Sequence, residues 1–156
     1  MQAYLLLQAR KVMTNEKEAF AAEKSLAIVG VSRTRGFGNT LFKHLKQKGY
    51  RVFPVNVRAE MVEGERCFHR LDDLPEPVGG VVTVVPPAET EKVVEDCARL
   101  GLRRVWMQQG SESTAAIALC RDKGISEVHG ECLIMHTAGG FPHSAHRWVW
   151  KMLGKY

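Results

Sequence analysis

The sequence lacks the long apolar run that a membrane-spanning helix needs. None of its hydrophobic stretches approaches the roughly 20 residues required to cross a bilayer. It also lacks the pattern of a secretory signal, because residues 1–13 place apolar side chains first and Arg10 and Lys11 afterwards, which reverses the usual charge order. We therefore expect a cytoplasmic protein with no membrane partner.

Cysteine is scarce, and its spacing suits neither a disulfide framework nor a zinc site. The four cysteines form no CxxC pair and lie far apart, at Cys67, Cys97, Cys120 and Cys132. We expect the first three to be buried as small apolar residues, and Cys132 to lie near a ligand. The late histidines match no HExxH or other zinc pattern; they are His129, His136, His143 and His146. The sequence therefore predicts no metal site.

Positive charge is in excess, but it is not arranged as in a nucleic-acid-binding protein. The net charge of +5 and the isoelectric point near 9.2 favour an anionic partner. There is no dense basic run and no basic stripe interleaved with aromatic residues. We therefore expect a phosphorylated small molecule and no nucleic acid.

Short apolar runs alternate with stretches of helical periodicity along most of the chain. Buried strands are predicted at 26–31, 50–57, 81–85, 104–107 and 126–129. Helices are predicted to end at Gly49, Gly101 and Gly124. This alternation predicts an α/β fold, a Rossmann-like, doubly wound three-layer sandwich with a mostly parallel sheet. The chain of 156 residues is expected to form a single domain over 1–156.

Three regions carry separate predictions. The N-terminal segment 1–24 is predicted to form one or two helices, with Asn15 as the N-cap of the second. The C-terminal extension 136–156 is expected to pack on the sheet or on a second subunit. Pro54 is unexpected in an inner strand, so either the strand bulges there or its amide faces a gap in the pairing. Residues 65–68 are expected to be extended and 71–74 to form a helical turn.

A turn rich in glycine and arginine follows the first predicted strand. Glycine at 30, 36 and 38 permits a close approach of backbone to ligand, and the following helix directs its free amides toward an anion. A hydroxyl and two guanidinium groups add donors for phosphate. The predicted phosphate turn contains Gly30, Val31, Ser32, Arg33, Arg35, Gly36, Phe37, Gly38 and Asn39. It is neither a P-loop nor a standard GxGxxG turn, because it lacks Gly-Lys-Ser/Thr and its spacing is longer.

The end of the second predicted strand distinguishes between cofactors. NAD-binding domains usually place an Asp or Glu there for the ribose hydroxyls, whereas this chain has Asn56 and Arg58. Amide and guanidinium groups can accept a phosphorylated ribose that a carboxylate would repel. The sequence therefore favours a ligand with a ribose phosphate, as in CoA and NADP; the alternative is that Arg58 is only a solvated surface charge.

The chain resembles small bacterial and archaeal CoA-binding proteins, whose domain is similar to the CoA-binding part of succinyl-CoA synthetase α subunits. The matching segments run in the family's order from about residue 26 to 135: AIVGVSRTRGFGN, GYRVFPVN, GERCF, LDDLPEPVGGVVTVVPP, VWMQQG and GECLIM. The most specific are Val85-Pro86-Pro87 and Trp106-x-Gln108-x-Gly110. The chain departs from the family at Gly79-Gly80, where members often have an acidic residue, and we expect a looser start to that strand.

The resemblance implies a role for each segment. The phosphate turn would line pyrophosphate and adenosine, and Asn56 and Arg58 would lie near the ribose phosphate. Val85, Pro86 and Pro87 would form the adenine-side wall. Gln108, Gly110 and Cys132 would lie further round the mouth, toward the pantetheine arm.

Binding of CoA or an acyl-CoA without catalysis is the function that the sequence favours. The resemblance implies binding because the domains that carry the phosphohistidine of the larger synthetases are absent, and no catalytic residues are identified. A mixed disulfide between Cys132 and a CoA thiol is a hypothesis that requires an accessible thiol. The alternatives are a small NADP-dependent oxidoreductase, for which no Tyr-x-x-x-Lys pair is seen, and a nucleotide-sensing regulatory protein. A homodimer or an unidentified protein partner is left open.

Overall fold

The computed structural model describes residues 1–137, apart from the side chains of Arg10, Met13 and Thr14. The helices in this range are α1 (Gln2–Ala22), α2 (Phe37–Gln47), α3 (Pro87–Leu100), α4 (Thr114–Asp122) and α5 (Leu133–Thr137), with a 3-10 turn at Leu71–Asp73. The strands are β1 (Ser25–Val29), β2 (Arg51–Val55), β3 (Met61–Val62), β4 (Glu65–Arg66), β5 (Gly80–Thr83), β6 (Arg104–Gln108) and β7 (Ser126–Glu131). The part of the C-terminal extension from 138 to 156, with His143 and His146, lies outside the described residues.

Five strands form one parallel sheet in the order β2-β1-β5-β6-β7. The chain passes from β1 to β2 on one side of β1, and then crosses to β5 on the other side. This reversal is the switch point at which open α/β sheets hold ligands, beyond the carboxyl ends of the strands. The predicted Rossmann-like α/β fold is confirmed.

Both faces of the sheet are covered, which explains the nearly continuous apolar strands. Leu26 and Ile28 pack with residues of α1, α2 and α5, whereas Ala27 packs with residues of α3 and α4. All three are completely buried. Successive residues of a strand face opposite sides, so a strand covered on both faces needs an apolar residue at every position. Among residues 1–137, no helix has both the length and the apolar character needed to span a bilayer.

Pro54 is tolerated because β2 is an edge strand. The register between β1 and β2 is continuous from Ser25–Arg51 to Val29–Val55, so the strand does not bulge. The carbonyl of Pro54 accepts a hydrogen bond from the amide of Phe68 at 2.9 Å, on the side away from β1. The amide and carbonyl of one strand residue point to the same side, so the missing N–H costs no hydrogen bond to β1.

The structure corrects two expectations and adds a hairpin and a helix. Asn15 lies inside one continuous helix, α1, and is not an N-cap. The segment before residue 68 is an antiparallel hairpin of β3 and β4, and α5 follows β7; neither was predicted. The start of β5 is not loose, because Gly80 is buried and an added Cβ would lie 2.7 Å from the ring of Phe20.

Candidate functional site

The carboxyl ends of β1, β2, β5, β6 and β7 lie on one edge of the sheet, since the strands are parallel. Every residue that the sequence predicts for the site lies at this edge, on a strand end, on a loop that leaves it or on the first turn of the next helix. The sheet therefore brings together segments that are far apart in sequence. Contacts among these segments show which side chains hold the loops and which remain free.

Glycine at 30 and 38 is required by close packing of backbone against backbone. Gly30 has a φ of 116°, and an added Cβ would overlap the carbonyl of Val84 on the neighbouring strand. A Cβ on Gly38 would lie 2.5 Å from the carbonyl oxygen of Gly30. The first turn of α2 therefore sits directly on the end of β1, which places its backbone amides at the switch point.

Asn39 holds the turn between β1 and α2 closed. Its Oδ1 accepts a hydrogen bond from the amide of Ser32 at 2.7 Å, and its Nδ2 donates to the carbonyl of Ser32 at 2.8 Å. The side chain is only 3% exposed. The polar atoms of Asn39 thus shape the turn, and the residue is placed to act on a ligand through the loop that it fixes.

Helix α2 begins without a side-chain cap. Its N-cap is Gly36, no side chain accepts a hydrogen bond from the first turn, and that turn contains no acidic residue. The amides of Phe37, Gly38 and Asn39 have no intrahelical acceptor, because the first turn of any helix lacks one. With the positive end of the helix dipole, they form a set of donors suited to an anion. The Phe37 ring itself is buried in the core, so this residue can contribute only its backbone.

Three arginines at the same edge are free of carboxylates. Within residues 1–137, the exposed side chains of Arg33, Arg35 and Arg58 have no ion-pair or hydrogen-bond partner. Five arginines elsewhere each pair with a carboxylate: Arg51, Arg70, Arg99, Arg104 and Arg121. Arg33, Arg35 and Arg58 all lie on the loops after β1 and β2. Arg66, on β4, also lacks a carboxylate, but its guanidinium lies over the ring of Phe68 at 5.2 Å from the centroid. This part of the edge therefore carries positive charge that the described protein does not neutralise.

Asn56 ties the loop after β2 to the loop after β1. Its Nδ2 donates to the carbonyl of Val31 at 2.7 Å, and its Oδ1 accepts from the amide of Arg58 at 2.7 Å. This Asx-type turn fixes the backbone of Arg58 beside the phosphate turn. The side chain of Asn56 is thus occupied by the protein, which leaves Arg58 as the free donor of the pair.

The loops after β5 and β6 are joined by buried hydroxyl groups that sequence reasoning missed. Ser111 Oγ donates to Thr83 Oγ1 at 2.9 Å, and Thr90 Oγ1 donates to the carbonyl of Ser111 at 2.7 Å. All three residues are buried. The exposed Pro86 and Pro87 stand at the start of α3, where Pro87 suits the first helical position. Serine and threonine in these loops were an available signal, but nothing in their spacing indicated the contact.

Two residues predicted for the far side of the mouth are buried. Gln108 is 2% exposed; its Oε1 accepts from the amide of Leu133 at 3.2 Å, while its Nε2 is buried without a partner. Cys132 is 5% exposed and packs in the core, so the structure does not provide the accessible thiol that the disulfide hypothesis requires. Gly110 is exposed at a φ of 91°, and its amide donates to Glu112 at 2.7 Å.

Glu63 is a site residue that the sequence did not indicate. It stands at the tip of the β3–β4 hairpin with a φ of 49°, and its carboxylate accepts from Asn39 Nδ2 at 3.0 Å and lies 3.4 Å from Lys43. The hydrogen bond from Asn39 and the nearby Lys43 lower the pKa of Glu63. The Glu63-Gly64 pair is a sequence signal for a two-residue hairpin turn, in which both positions need a positive φ.

A separate groove of about 410 Å³ runs along the outer side of β2 and contains none of the predicted site residues. Its floor includes Phe53 and Phe68, whose ring centroids are 5.9 Å apart. Its three cations all have partners within the domain, since Lys46 pairs with Glu65, Arg51 pairs with Glu76, and Arg66 lies over the ring of Phe68. We therefore place the candidate site at the carboxyl edge, where the charges are unpaired.

Among the described residues, the nucleophilic and metal-ligating groups form no reactive cluster. No three of the His, Cys, Asp and Glu side chains in residues 1–137 are grouped to hold a metal ion. Burial raises the pKa of Cys97 and of Cys120 to about 12, which leaves both thiols protonated and unreactive. The arrangement at the carboxyl edge is thus suited to binding an anion.

Comparison with known proteins gives relatives that include several acetate–CoA ligases. The acetate–CoA ligase (ADP-forming) of Methanocaldococcus jannaschii is 32% identical over 81 residues, which are 51% of this chain and 12% of the ligase. The α subunit of acetate–CoA ligase (ADP-forming) II of Pyrococcus furiosus is 31% identical over 88 residues, or 55% of this chain and 19% of the subunit. The chain thus spans less than a fifth of the length of these curated relatives.

A solved structure extends the similarity to a whole small protein. A conserved hypothetical protein from Pyrococcus furiosus has a TM-score of 0.70 and 31% identity, and the match covers 73% of this chain and 99% of the other. The family described as the CoA binding domain matches residues 24–138, which include the sheet and every loop of the candidate site. The chain therefore belongs to the CoA binding domain family.

Proposed function

We propose that the chain binds coenzyme A or an acyl-CoA at the carboxyl edge of its sheet, with the diphosphate on the turn between β1 and α2. The observation that supports this most directly is the combination of three unpaired arginines with an uncapped helix N-terminus at the switch point. Membership of the CoA binding domain family indicates which anion to expect.

Arg58 is proposed to bind the 3′-phosphate of the CoA ribose. Its backbone is fixed by Asn56, its guanidinium has no partner within residues 1–137, and no carboxylate stands at the end of β2. A guanidinium can donate two parallel hydrogen bonds to a phosphate group. Arg33 and Arg35, on the neighbouring loop, are proposed to bind the diphosphate.

The remaining predicted residues are proposed to line the rest of the ligand. Val85, Pro86 and Pro87 offer flat apolar surface and backbone carbonyls to the adenine. Gly110 and the unpartnered Nε2 of Gln108 lie at the end of β6, on the path proposed for the pantetheine arm. Cys132 is proposed only as a neighbour of that path, because its sulfur is buried.

Binding without chemistry is the activity that we propose for the described chain. The relatives are named acetate–CoA ligases, but the aligned part is only 12% and 19% of their lengths. A carrier or a metabolite-sensing partner in the cytoplasm needs no more than the site described above.

Titration calorimetry with CoA, dephospho-CoA and NADP tests this function. CoA should bind at least about 10-fold more tightly than dephospho-CoA, because a charge-assisted hydrogen bond contributes about 1.5–3 kcal/mol. Arg58→Ala should remove that difference and leave the affinity for dephospho-CoA nearly unchanged. Arg103→Ala is the matched control, since this exposed arginine precedes β6 at the opposite edge of the sheet.

Each departure from this pattern has a definite meaning. Equal affinity of the wild-type chain for CoA and dephospho-CoA would refute the role of Arg58. No measurable affinity for either ligand would refute the proposed function itself. Tighter binding of NADP than of CoA would favour the oxidoreductase alternative.

A further inference from the structure

Helix α1 is attached to the domain by its C-terminal half only. Lys17 Nζ lies 2.5 Å from Glu131, the rings of Phe20 and Trp106 are 5.4 Å apart, and the hydroxyl of Tyr50 donates to the carbonyl of Ala21. Among the side chains that the structure describes, the polar and ring contacts between α1 and the sheet begin at Lys17. The earlier part of the helix, residues 1–12, is here named the N-terminal arm.

Residues 4–7 of the N-terminal arm form a run of exposed apolar side chains. Leu5, Leu6 and Leu7 are 62%, 65% and 71% exposed, and Tyr4 is 67% exposed. Four successive helical positions are about 100° apart, so these side chains point in nearly all directions. Residues 1–9 contain no charged side chain. A helix that is apolar on all sides is normally buried, and a short isolated helix is only marginally stable in water.

The arm projects past the edge of the sheet that carries the candidate site. Lys17 pairs with Glu131 at the carboxyl end of β7, and α1 then continues toward the start of β1 at the amino edge. Residues 1–12 therefore lie on the carboxyl side of Lys17, at about 8–24 Å from it along the helix axis for a rise of about 1.5 Å per residue. The arm also lies outside residues 24–138, which match the family.

We propose that the N-terminal arm is a self-association surface, which packs antiparallel against the arm of a second copy of this chain. The large apolar side chains exposed on the arm present on the order of 600 Å² per copy, and an antiparallel partner arm covers the part of this area that faces it. The exposed side chains counted are Met1, Tyr4, Leu5, Leu6, Leu7 and Val12.

Charge also favours a second copy at this position. Two copies of a chain with a net charge of +5 repel each other over most of their surfaces. Residues 1–9 carry no charged side chain, so two copies oppose fewer like charges along this stretch than elsewhere on their surfaces. A two-fold, antiparallel arrangement is self-complementary and closes as a dimer. It directs the carboxyl edges of the two copies toward each other.

Sedimentation equilibrium of the full chain tests this surface. The wild-type chain should be a dimer, and the triple variant L5E/L6E/L7E should raise the dimer dissociation constant by at least about 100-fold, because it would bury charge without partners. Val57→Glu is the matched control, since Val57 is 72% exposed but lies outside the arm, and it should leave the dimer intact. Thermal unfolding checks that the triple variant is folded.

Several outcomes would overturn the proposal. A wild-type chain that stays monomeric at about 100 µM contradicts it, and so does a dimer that the triple variant leaves unchanged. If the wild type is monomeric but a chain cut after Thr137 dimerises, residues 138–156 cover the arm instead. Binding of the monomeric wild type to neutral phosphatidylcholine vesicles, lost in the triple variant, would identify a lipid surface as the occupant.

Discussion

The turn between β1 and α2 and the turn between β6 and α4 occupy equivalent places at the carboxyl edge. Side chains accept hydrogen bonds from backbone amides at the helix start in the second turn but not in the first. In the second turn, Ser113 caps α4 by accepting from the amide of Ala116 at 3.0 Å. Glu112 accepts from the amide of Gly110. In the first turn, Gly36 offers no cap and the local arginines have no carboxylate.

Under the proposed function, this difference separates a turn that is stabilised by its own side chains from a turn whose amides are left for the ligand. A side-chain cap satisfies amides at a helix start and stabilises the protein by about 1 kcal/mol. The turn after β1 lacks this stabilisation. The uncapped amides at its end are the donors that we propose for the diphosphate. The shape of this turn is maintained instead by Asn39 from one side and by close-packed glycine from the other.

The largest effect is expected from Gly38→Ala. The added Cβ would lie 2.5 Å from the carbonyl oxygen of Gly30, and backbone cannot move aside as a flexible side chain can. We expect a loss of about 3 kcal/mol in the free energy of unfolding, together with loss of CoA binding. Urea denaturation measures the first effect and calorimetry the second.

Gly36→Ala is the matched control within the same turn. Its φ of 168° is extended, and the nearest atom to an added Cβ is 3.8 Å away. The free energy of unfolding of this variant should lie within about 0.5 kcal/mol of the wild-type value. Equal stability of the two alanine variants would show that α2 does not rest on the end of β1 as described.

Substitutions at the two N-cap positions, Ser113 and Gly36, are expected to change stability and CoA affinity by intermediate amounts. Ser113→Ala should lower the free energy of unfolding by about 1 kcal/mol without changing CoA affinity, because its hydroxyl caps α4 and donates to Glu91 on α3 and contacts none of the proposed ligand-binding residues. Gly36→Ser should do the reverse: stability rises by a few tenths of a kcal/mol and CoA affinity falls, because the new hydroxyl competes for the amides. Denaturation and calorimetry on both variants check this; an unchanged affinity in Gly36→Ser would count against the diphosphate position.

The smallest effect is expected from Glu63→Gln, and it depends on pH. The pKa of Glu63 is lowered in the folded chain by Asn39 and Lys43, so its stabilising effect is present above the ordinary value of 4.5 and is lost as the pH falls through the lower folded value. The melting temperature of the wild type should therefore fall more steeply below that pH than the melting temperature of Glu63→Gln. If the melting temperatures of the two proteins change with pH in the same way, the Glu63 carboxylate does not help to hold Asn39 in place.

Periodicity in the sequence was sufficient to predict the sheet and most of its helices. The strands predicted at 26–31, 50–57 and 81–85 each end two residues later than the observed strands, because apolar residues continue into the loops after the sheet pairing ends. The hairpin of β3 and β4 was missed because strands of two residues are too short to show alternation. Asn15 has a side chain typical of an N-cap, but the helix α1 continues on both sides of it.

The composition of the site was more predictable than the roles of its members. Gly30, Gly38 and the free arginines followed from the pattern of strand, turn and helix. Asn39 and Asn56 were expected near the ligand, but their side chains hold the loops. Gln108 and Cys132 were expected to face the mouth, yet both are buried. Sequence gives the donors present at an edge, whereas packing decides which of them remain unsatisfied.

By itself, the sequence determined the parallel α/β architecture and the position of the turn between β1 and α2, because both depend on local periodicity and on residues that are adjacent in the chain. Tertiary structure alone decided that Glu63 reaches Asn39, that Ser111 joins Thr83 and Thr90, and that Arg33, Arg35 and Arg58 lack carboxylate partners within residues 1–137. The physical reason is that a hydrogen bond or an ion pair depends on distance in space, and the crossovers between parallel strands bring together residues that lie more than twenty positions apart.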